Sequence, residues 1–353
     1  MQKLNDKMRE KLNMKFKIKL VIVAFISIIF TCSSYASSMT KTGMTAAPFL
    51  SIEVGARGKS MGGAFVGISD DISALFWNPA GITKLPKNAF MISHTKWIAD
   101  VNFNFAGVTV PIGNYGTIGA SLTSLTMDDM KVRTVYEQNG TGEYFSASDL
   151  ALSLAYGMNL TDRFAIGFNV KYIQQQIYKM SASTYAVDFG TLFRTNFNDM
   201  VIGMSISNFG GSMQLSGIDT EVDYDVSPGE TGNNDKILAN LKTDPFQLPL
   251  TFRVGVAMDV IKLKSSRLKV AVDAVIPNDN AQYMNIGVEY IIADLIALRG
   301  GYKSLFLKDS EEGITLGAGL RHTISGFEFS LDYAYGDFGL LSYTQELMFS
   351  IYF

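Results

Sequence analysis

Two histidines, one cysteine and the tripeptide Gly58-Lys59-Ser60 are the residues here whose types invite a catalytic or cofactor reading. A phosphate-cradling loop needs glycine five positions before Gly58 and a strand-to-helix setting; Glu53 stands there instead. Cys32 falls inside an apolar leader. The mature chain is therefore expected to lack disulfides, thiolate metal sites and a thiol nucleophile. His94 and His322 fall near opposite ends of their strands, about a membrane thickness apart, so they share no metal and no proton. No nucleophile–base pair emerges, and neither an enzyme nor a cofactor nor a metal is expected. A net charge of −3 offers no basic surface for nucleic acid.

The remaining charged residues fall at regular positions within apolar stretches. Lys171, Asp188, Arg194, Arg253, Asp273, Glu289, Arg299, Arg321, Glu328 and Asp332 share the less apolar face of their segments. Buried charges must be paired or hydrated, so the first reading is a structural network. The sharper reading makes Arg253 or Arg321 a clamp for the carboxylate of a fatty acid. A separate acidic run comprises Asp219, Glu221, Asp223, Asp225, Glu230, Asp235 and Asp244 against Lys236 and Lys242. Its spacing fits no EF-hand loop. It reads as a solvated loop, with divalent cations or a basic partner as alternatives.

The elements that must position these residues are strands. From about residue 88 the apolar period is two. Leu268, Val270, Val272, Ala274 and Ile276 alternate with Lys269, Ala271, Asp273 and Val275. Phe327, Phe329, Leu331, Tyr333 and Tyr335 alternate with Glu328, Ser330, Asp332 and Ala334. One face is large and apolar; the other is small, polar or charged. A soluble sheet would turn Lys, Thr and Glu to water, whereas small residues suit a crowded lumen. The composition, 47% hydrophobic without a later apolar run long enough for a spanning helix, fits a barrel in lipid.

Fourteen such segments are expected, at about 88–97, 101–112, 115–125, 147–158, 162–176, 181–194, 198–209, 248–261, 266–276, 281–292, 294–304, 312–323, 325–337 and 343–353. The links after even-numbered strands are short, as periplasmic turns should be. The long links, 126–146 and 210–247, follow odd-numbered strands. In the second strand the apolar parity slips at Ala106-Gly107. This predicts a bulge and makes these two residues a candidate lateral opening. Trp97, Tyr302 and Tyr343 suit an interfacial girdle.

Residues 1–36 read as a secretory signal. Lys15, Lys17 and Lys19 precede the run Leu20–Phe30, and Ser34-Tyr35-Ala36 is an acceptable cleavage site. The run, about 11 residues, is short of the roughly 20 that an anchor needs. Bulky Phe30 argues against a lipoprotein cut before Cys32, and Met14 is an alternative start. Residues 37–87 do not alternate and are glycine-dense, which predicts a plug packed close to the wall of a barrel spanning 88–353. Ser69–Phe76 is expected to be a short helix ending before Asn78-Pro79. At the far end Leu347, Phe349, Ile351 and Phe353 share one face. A terminal aromatic there resembles the insertion signal of outer-membrane barrels, with Phe349, Ile351 and Phe353 read by the barrel-assembly machinery. The fold class is thus all-β: a transmembrane antiparallel barrel of about fourteen strands with an N-terminal plug.

The run Gly55-Ala56-Arg57-Gly58-Lys59-Ser60-Met61-Gly62-Gly63-Ala64-Phe65, continuing through Asp70 and Asp71 to Asn78-Pro79-Ala80, resembles the start of FadL-type outer-membrane proteins. More closely it resembles the PorV/PorQ family, as does Leu248-Pro249-Leu250-Thr251-Phe252-Arg253-Val254-Gly255. The resemblance implies a hatch built on Gly55, Gly58, Gly62, Gly63, Asp70, Asp71, Asn78, Pro79 and Ala80, blocking a fourteen-stranded barrel. PorV-type members handle cargo in type IX secretion. FadL-type members import fatty acids and other hydrophobic molecules by hatch movement and a sideways opening. The expected function is therefore the handling of secreted cargo, with secreted proteins or secretion components as partners, or of hydrophobic ligands, with FadL-like transport of fatty acids or other hydrophobic compounds as the alternative and a purely structural barrel third. Outer-membrane lipid surrounds the protein in every case.

Overall fold

The computed structural model describes residues 42–227, 229, 236–263, 265–308 and 310–353. The signal segment 1–36 with Cys32 and Met14, the first residues of the expected plug, and loop residues Glu230 and Asp235 lie outside the described residues.

Alternation produces long strands. They are β1 (Ala89–Lys96), β2 (Asn102–Pro111), β3 (Thr117–Thr126), β4 (Ala147–Thr161), β5 (Phe164–Ile177), β6 (Met180–Arg194) and β7 (Val201–Gly210). The second half comprises β8 (Thr251–Lys262), β9 (Ser266–Pro277), β10 (Tyr283–Ile292), β11 (Ile296–Leu305), β12 (Ile314–Ile324), β13 (Phe327–Asp337) and β14 (Tyr343–Tyr352). Each pairs antiparallel with its chain neighbour, and β1 pairs with β14 from Ala89↔Tyr352 to Lys96↔Gln345. The fourteen-stranded barrel is therefore closed, which removes the unpaired edges a membrane cannot tolerate. All fourteen expected segments are present. Their ends move by a few residues: Leu248-Pro249-Leu250 precedes β8 rather than opening it, since proline donates nothing to a ladder.

The wall is inside-out. In β4 Leu152, Leu154 and Tyr156 are exposed while Ala151, Ser153 and Ala155 are buried. Links 112–116, 162–163, 195–200, 263–265, 293–295 and 325–326 form one rim. The long links 127–146 and 211–250 lie on the other rim and carry small hairpins, among them Glu221–Tyr224 with Ile237–Asn240. The rim of short links is the periplasmic one in barrels of this kind.

The bulge expected at Ala106-Gly107 is absent. The β1–β2 and β2–β3 registers run unbroken through both residues. The parity slips because Phe103 and Phe105 point inward, buried at 0% and 3% exposure, into the apolar cluster formed by the preceding segment. Ala106-Gly107 is thus continuous wall and not an opening in the ladder.

The core lies where this segment meets the wall. From Ile52 to Ile82 every residue is buried except Asp70 and Phe76. Two short helices interrupt the segment, α1 (Ala56–Ser60) and α2 (Ala74–Trp77), followed by a 3₁₀ turn over Pro79–Lys84. The expected Ser69–Phe76 helix is shorter and later: Asp70 is drawn to Arg57, and Asp71 accepts from Ser73 N just before α2. The glycine-dense run contains a helix, α1, that its composition disfavours.

The end of β14 carries a prediction. The Phe353 N–H donates to Asn88 O at 2.8 Å and its ring lies 6.3 Å from that of Phe327. Deleting Phe353 is expected to reduce the assembled, heat-modifiable barrel severalfold in cells. An unchanged yield would refute a role as insertion signal.

Candidate functional site

A buried segment with so little regular structure leaves many backbone groups to satisfy, and inward side chains of the wall do much of this. One oxygen of Asp273 on β9 accepts from Phe65 N and Val66 N, both at 2.8 Å. Glu346 on β14 accepts from Gly55 N at 2.8 Å. Thr315 on β12 donates to Ser60 O at 3.1 Å, and Asn169 on β5 donates to Leu75 O at 3.2 Å. Within the plug, Trp77 donates its indole N–H to Val54 O at 2.8 Å and packs edge-on against Phe65 and Phe76.

Charge ties the plug to the other side of the wall. Arg57 forks onto Glu289 of β10, Nε to Oε1 at 2.8 Å and Nη2 to Oε2 at 2.9 Å. Its Nη1 meets Asp70 and, at 3.3 Å, Asp71. Glu289 also receives Arg299 at 2.8 Å, and Arg299 reaches Asp332 at 2.6 Å. Lys269 meets Asp70 at 3.0 Å. Burial works against the Asp70 charge, but Arg57, then Lys269 and Lys84, hold its carboxyl well below the ordinary carboxylate range. Asp71 faces the same burial with weaker compensation, and its carboxyl is pushed up. The bidentate Arg–carboxylate fork fixes orientation as well as charge.

The closest approach is made through glycine. Nearly every strand from β2 to β12 places a glycine on its inner face where the plug touches. A Cβ on Gly167 would sit 2.3 Å from Ala80 N and from Pro79 C; on Gly203, 2.4 Å from Val66 O; on Gly287, 2.4 Å from Met61 O. Several of these glycines are ladder partners, as in Gly157↔Gly167↔Gly190 and Gly287↔Gly301. They form a girdle into which the plug's own backbone fits.

The nine motif residues lie together in this contact. Gly55 (φ +90°) opens α1, and Gly62 (φ +64°) and Gly63 (φ +74°) follow it. The positive φ suits glycine, and a side chain on Gly62 would strike the Tyr302 backbone at 2.8 Å. Gly58 leaves room for the Trp77 ring. Asn78 caps the turn over Pro79, accepting from Ala80 N, and donates to Val66 O at 3.1 Å and Thr191 O of β6 at 3.0 Å. Asn78-Pro79-Ala80 is thus the joint between plug and wall on the β4–β6 side.

Residues 35–275 match the family model described as type IX secretion system protein PorV. The chain belongs to the PorV family. Its fold is that of the FadL-type outer-membrane barrels. A Pseudomonas aeruginosa FadL homologue aligns over 88% of this chain and 98% of its own, at TM-score 0.53 and 11% identity. The Pseudomonas putida toluene transporter TodX aligns over 84% and 96%, at 0.54 and 13%. The Ralstonia pickettii toluene transporter TbuX covers 84% and 97%, at 0.50 and 11%. Identities this low establish architecture alone. No curated sequence matches the chain.

Within this PorV-family barrel the other expected residues separate. Arg253 is buried, donates to Ser207 Oγ at 3.4 Å, and lies over the rings of Trp77 and Phe76 at 5.7 and 5.9 Å. It braces the plug. Arg321 lies on the periplasmic rim, paired with Glu328 at 3.2 Å and exposed. Arg194 is likewise exposed there, donating to Asp162 O. Arg253 and Arg321, the alternative candidates for a carboxylate clamp, therefore occupy different places. His94 faces outward and bonds Asn104 at 2.8 Å, well separated along the wall from His322 near the short link 325–326.

An apolar hollow of about 350 Å³ lies on the outer face beside Ala106, lined by Ile92, His94, Asn104, Leu122, Leu347 and Phe349, with intact ladder behind it. Trp97 does not join an outer girdle. It packs on Phe338 at 5.1 Å and over the Lys59 ammonium at 5.7 Å. Among the described residues no His, Cys, Asp or Glu cluster has metal-binding geometry.

Sequence reasoning missed the glycine girdle, and with it the service that Asp273, Thr315, Asn169 and Glu346 give to the plug backbone. The readable signal was a glycine on the inward parity of strand after strand.

Proposed function

We propose that this barrel handles exported protein cargo at the outer membrane, without enzymatic chemistry, as a component of type IX secretion. The observation that carries this reading is the PorV-family match across residues 35–275. The packing agrees with it: the hollows adjoining the plug, about 10 Å³ beneath Trp97, about 20 Å³ beside Phe76 and about 120 Å³ beside Arg57, are too small for a macromolecule. With the lumen filled, the surface left for a macromolecule is the rim of long loops. That rim exposes Val135, Tyr136, Tyr224, Leu238 and Leu340 together with Glu221 and Asp223. Secreted proteins or secretion components are its partners in this reading. In this reading the signal is cleaved near Ala36 during export. Insertion by the barrel-assembly machinery precedes function.

A second reading, passage of hydrophobic compounds such as fatty acids, draws on the FadL-like architecture and on the apolar hollow beside Ala106. One experiment separates the two. Cells lacking the chain are expected to retain surface-destined proteins in the periplasm while taking up labelled oleate and toluene normally. Normal secretion together with lost uptake would overturn the first reading and establish the second.

A further inference from the structure

The plug is not equally sealed all round. Above and below α1, on the side of β10–β13, lie two charged cavities. The upper, a gap of only about 10 Å³ beneath Trp97, is lined by Glu53, Lys59, Lys303 and Glu312. The lower, about 120 Å³, opens toward the periplasmic rim and is lined by Arg57, Asp70, Lys269, Glu289, Arg299 and Asp332. Arg57 borders one and Lys59 the other. These two residues are two apart on a five-residue helix, a separation of about 3 Å along its axis.

The wall repeats the same order. On β11 the inward residues run Arg299, Gly301, Lys303; on β13 they run Asp332, Ala334, Gly336. Between the charged levels stand Gly287, Gly301, Gly317 and Ala334, and in this groove lie α1 and the residues following it. A Cβ on Gly317 would meet Ser60 Cβ at 2.4 Å, and one on Gly301 would meet Gly62 N at 2.3 Å. Nothing on these four strands except glycine and alanine separates the two cavities once α1 and the Met61-Gly62 that follow it are withdrawn.

We propose that the charged side of the lumen, along β10–β13, is a conduit for small hydrated ions, and that α1 is its shutter. Charged walls retain water, so this route excludes apolar compounds, whose entry would strip the charges of solvent. The shutter is held by the Arg57–Glu289 fork and by the Thr315 bond to Ser60 O. This conduit is independent of cargo handling at the loop rim.

The test uses purified barrel in planar bilayers with KCl as the permeant probe, in a Cys32→Ser, Ala334→Cys background. Ala334 is fully buried, so a charged methanethiosulfonate reagent reads withdrawal of α1. The background protein is expected to be silent and slow to label. Adding Glu289→Gln should raise the labelling rate at least about tenfold, the factor that corresponds to about 1.4 kcal/mol. It should also produce conductance steps that the reagent reduces. Conductance that labelling leaves unchanged would overturn the proposal. So would a folded Glu289→Gln barrel that neither labels faster nor conducts. If Glu289→Gln does not fold, Thr315→Val loosens the same helix without leaving a charge unpaired, and the same outcomes decide.

Discussion

Gly167→Ala will unseat the plug while leaving the barrel closed. The added methyl would lie 2.3 Å from both Pro79 C and Ala80 N, backbone atoms of the turn that Asn78 ties to β6. Overpacking of an interior costs about 1–3 kcal/mol when side chains can yield. Here the obstacle is main chain, held on the other side by the wall, so the upper end of that range or more is expected. The strand itself should tolerate the change, because alanine is a better strand residue than glycine. The measurement is tryptic cleavage of the plug at Arg57 and Lys59 in the reconstituted barrel. Heat-modifiable mobility reports that the wall remains intact. Gly300→Ala is the control: its methyl would meet nothing nearer than Leu316 Cδ2 at 3.7 Å. Equal protection of both variants would refute the girdle as the seat of the plug.

Replacing Arg57 by methionine is expected to destabilise the seated plug by about 3–5 kcal/mol, the usual cost of leaving buried partners uncompensated. The loss is unequal among its three anions. Glu289 keeps Arg299 and Asp70 keeps Lys269. Asp71, 2% exposed, retains hydrogen bonds from Ser73 N and Oγ but no cation. Arg57→Met with Asp71→Asn should therefore recover part of the loss, whereas Arg57→Met with Glu289→Gln should recover less. Arg57→Lys should fail to restore stability, since an ammonium cannot reproduce the two-pronged contact with Glu289. Urea dependence of plug protection, read by proteolysis, gives the free energies. If Arg57→Lys matches the unsubstituted protein, the fork contributes only charge.

These two expectations differ in how far their residues were readable from sequence. The alternation of Leu268 to Ile276 and of Phe327 to Tyr335 identifies strands of a barrel directly, because side-chain direction along a strand has a fixed period of two. The length of each link then assigns the rims. The segment around Asn78-Pro79-Ala80 could be recognised as a family motif. What each of its residues touches could not be read. The reading failed where an inward position carried a large apolar residue: Phe103 and Phe105 looked like lipid-facing residues out of register, though their register is regular. The apolar cluster they join includes Ile72 and Leu75, which come from a different segment. Trp97 was misplaced for the same reason, because the plug beneath it supplies Lys59.

Sequence by itself determined the compartment, the strand count, the order of short and long links and the presence of a plug. Strand count and link order follow from periodicities within a few residues of one another, whereas compartment and plug rested also on the resemblance of the terminal strand and of residues 55–82 to outer-membrane families. Only the tertiary structure decided how that plug is held. Its seat is made where Gly167 meets Pro79, Asp273 meets Phe65, and Glu289 meets Arg57, pairs brought together by barrel closure across most of the chain length. A glycine or carboxylate looks the same in a local window whether it lines empty space or receives a helix. Its role appears only when the fold supplies the group on the other side.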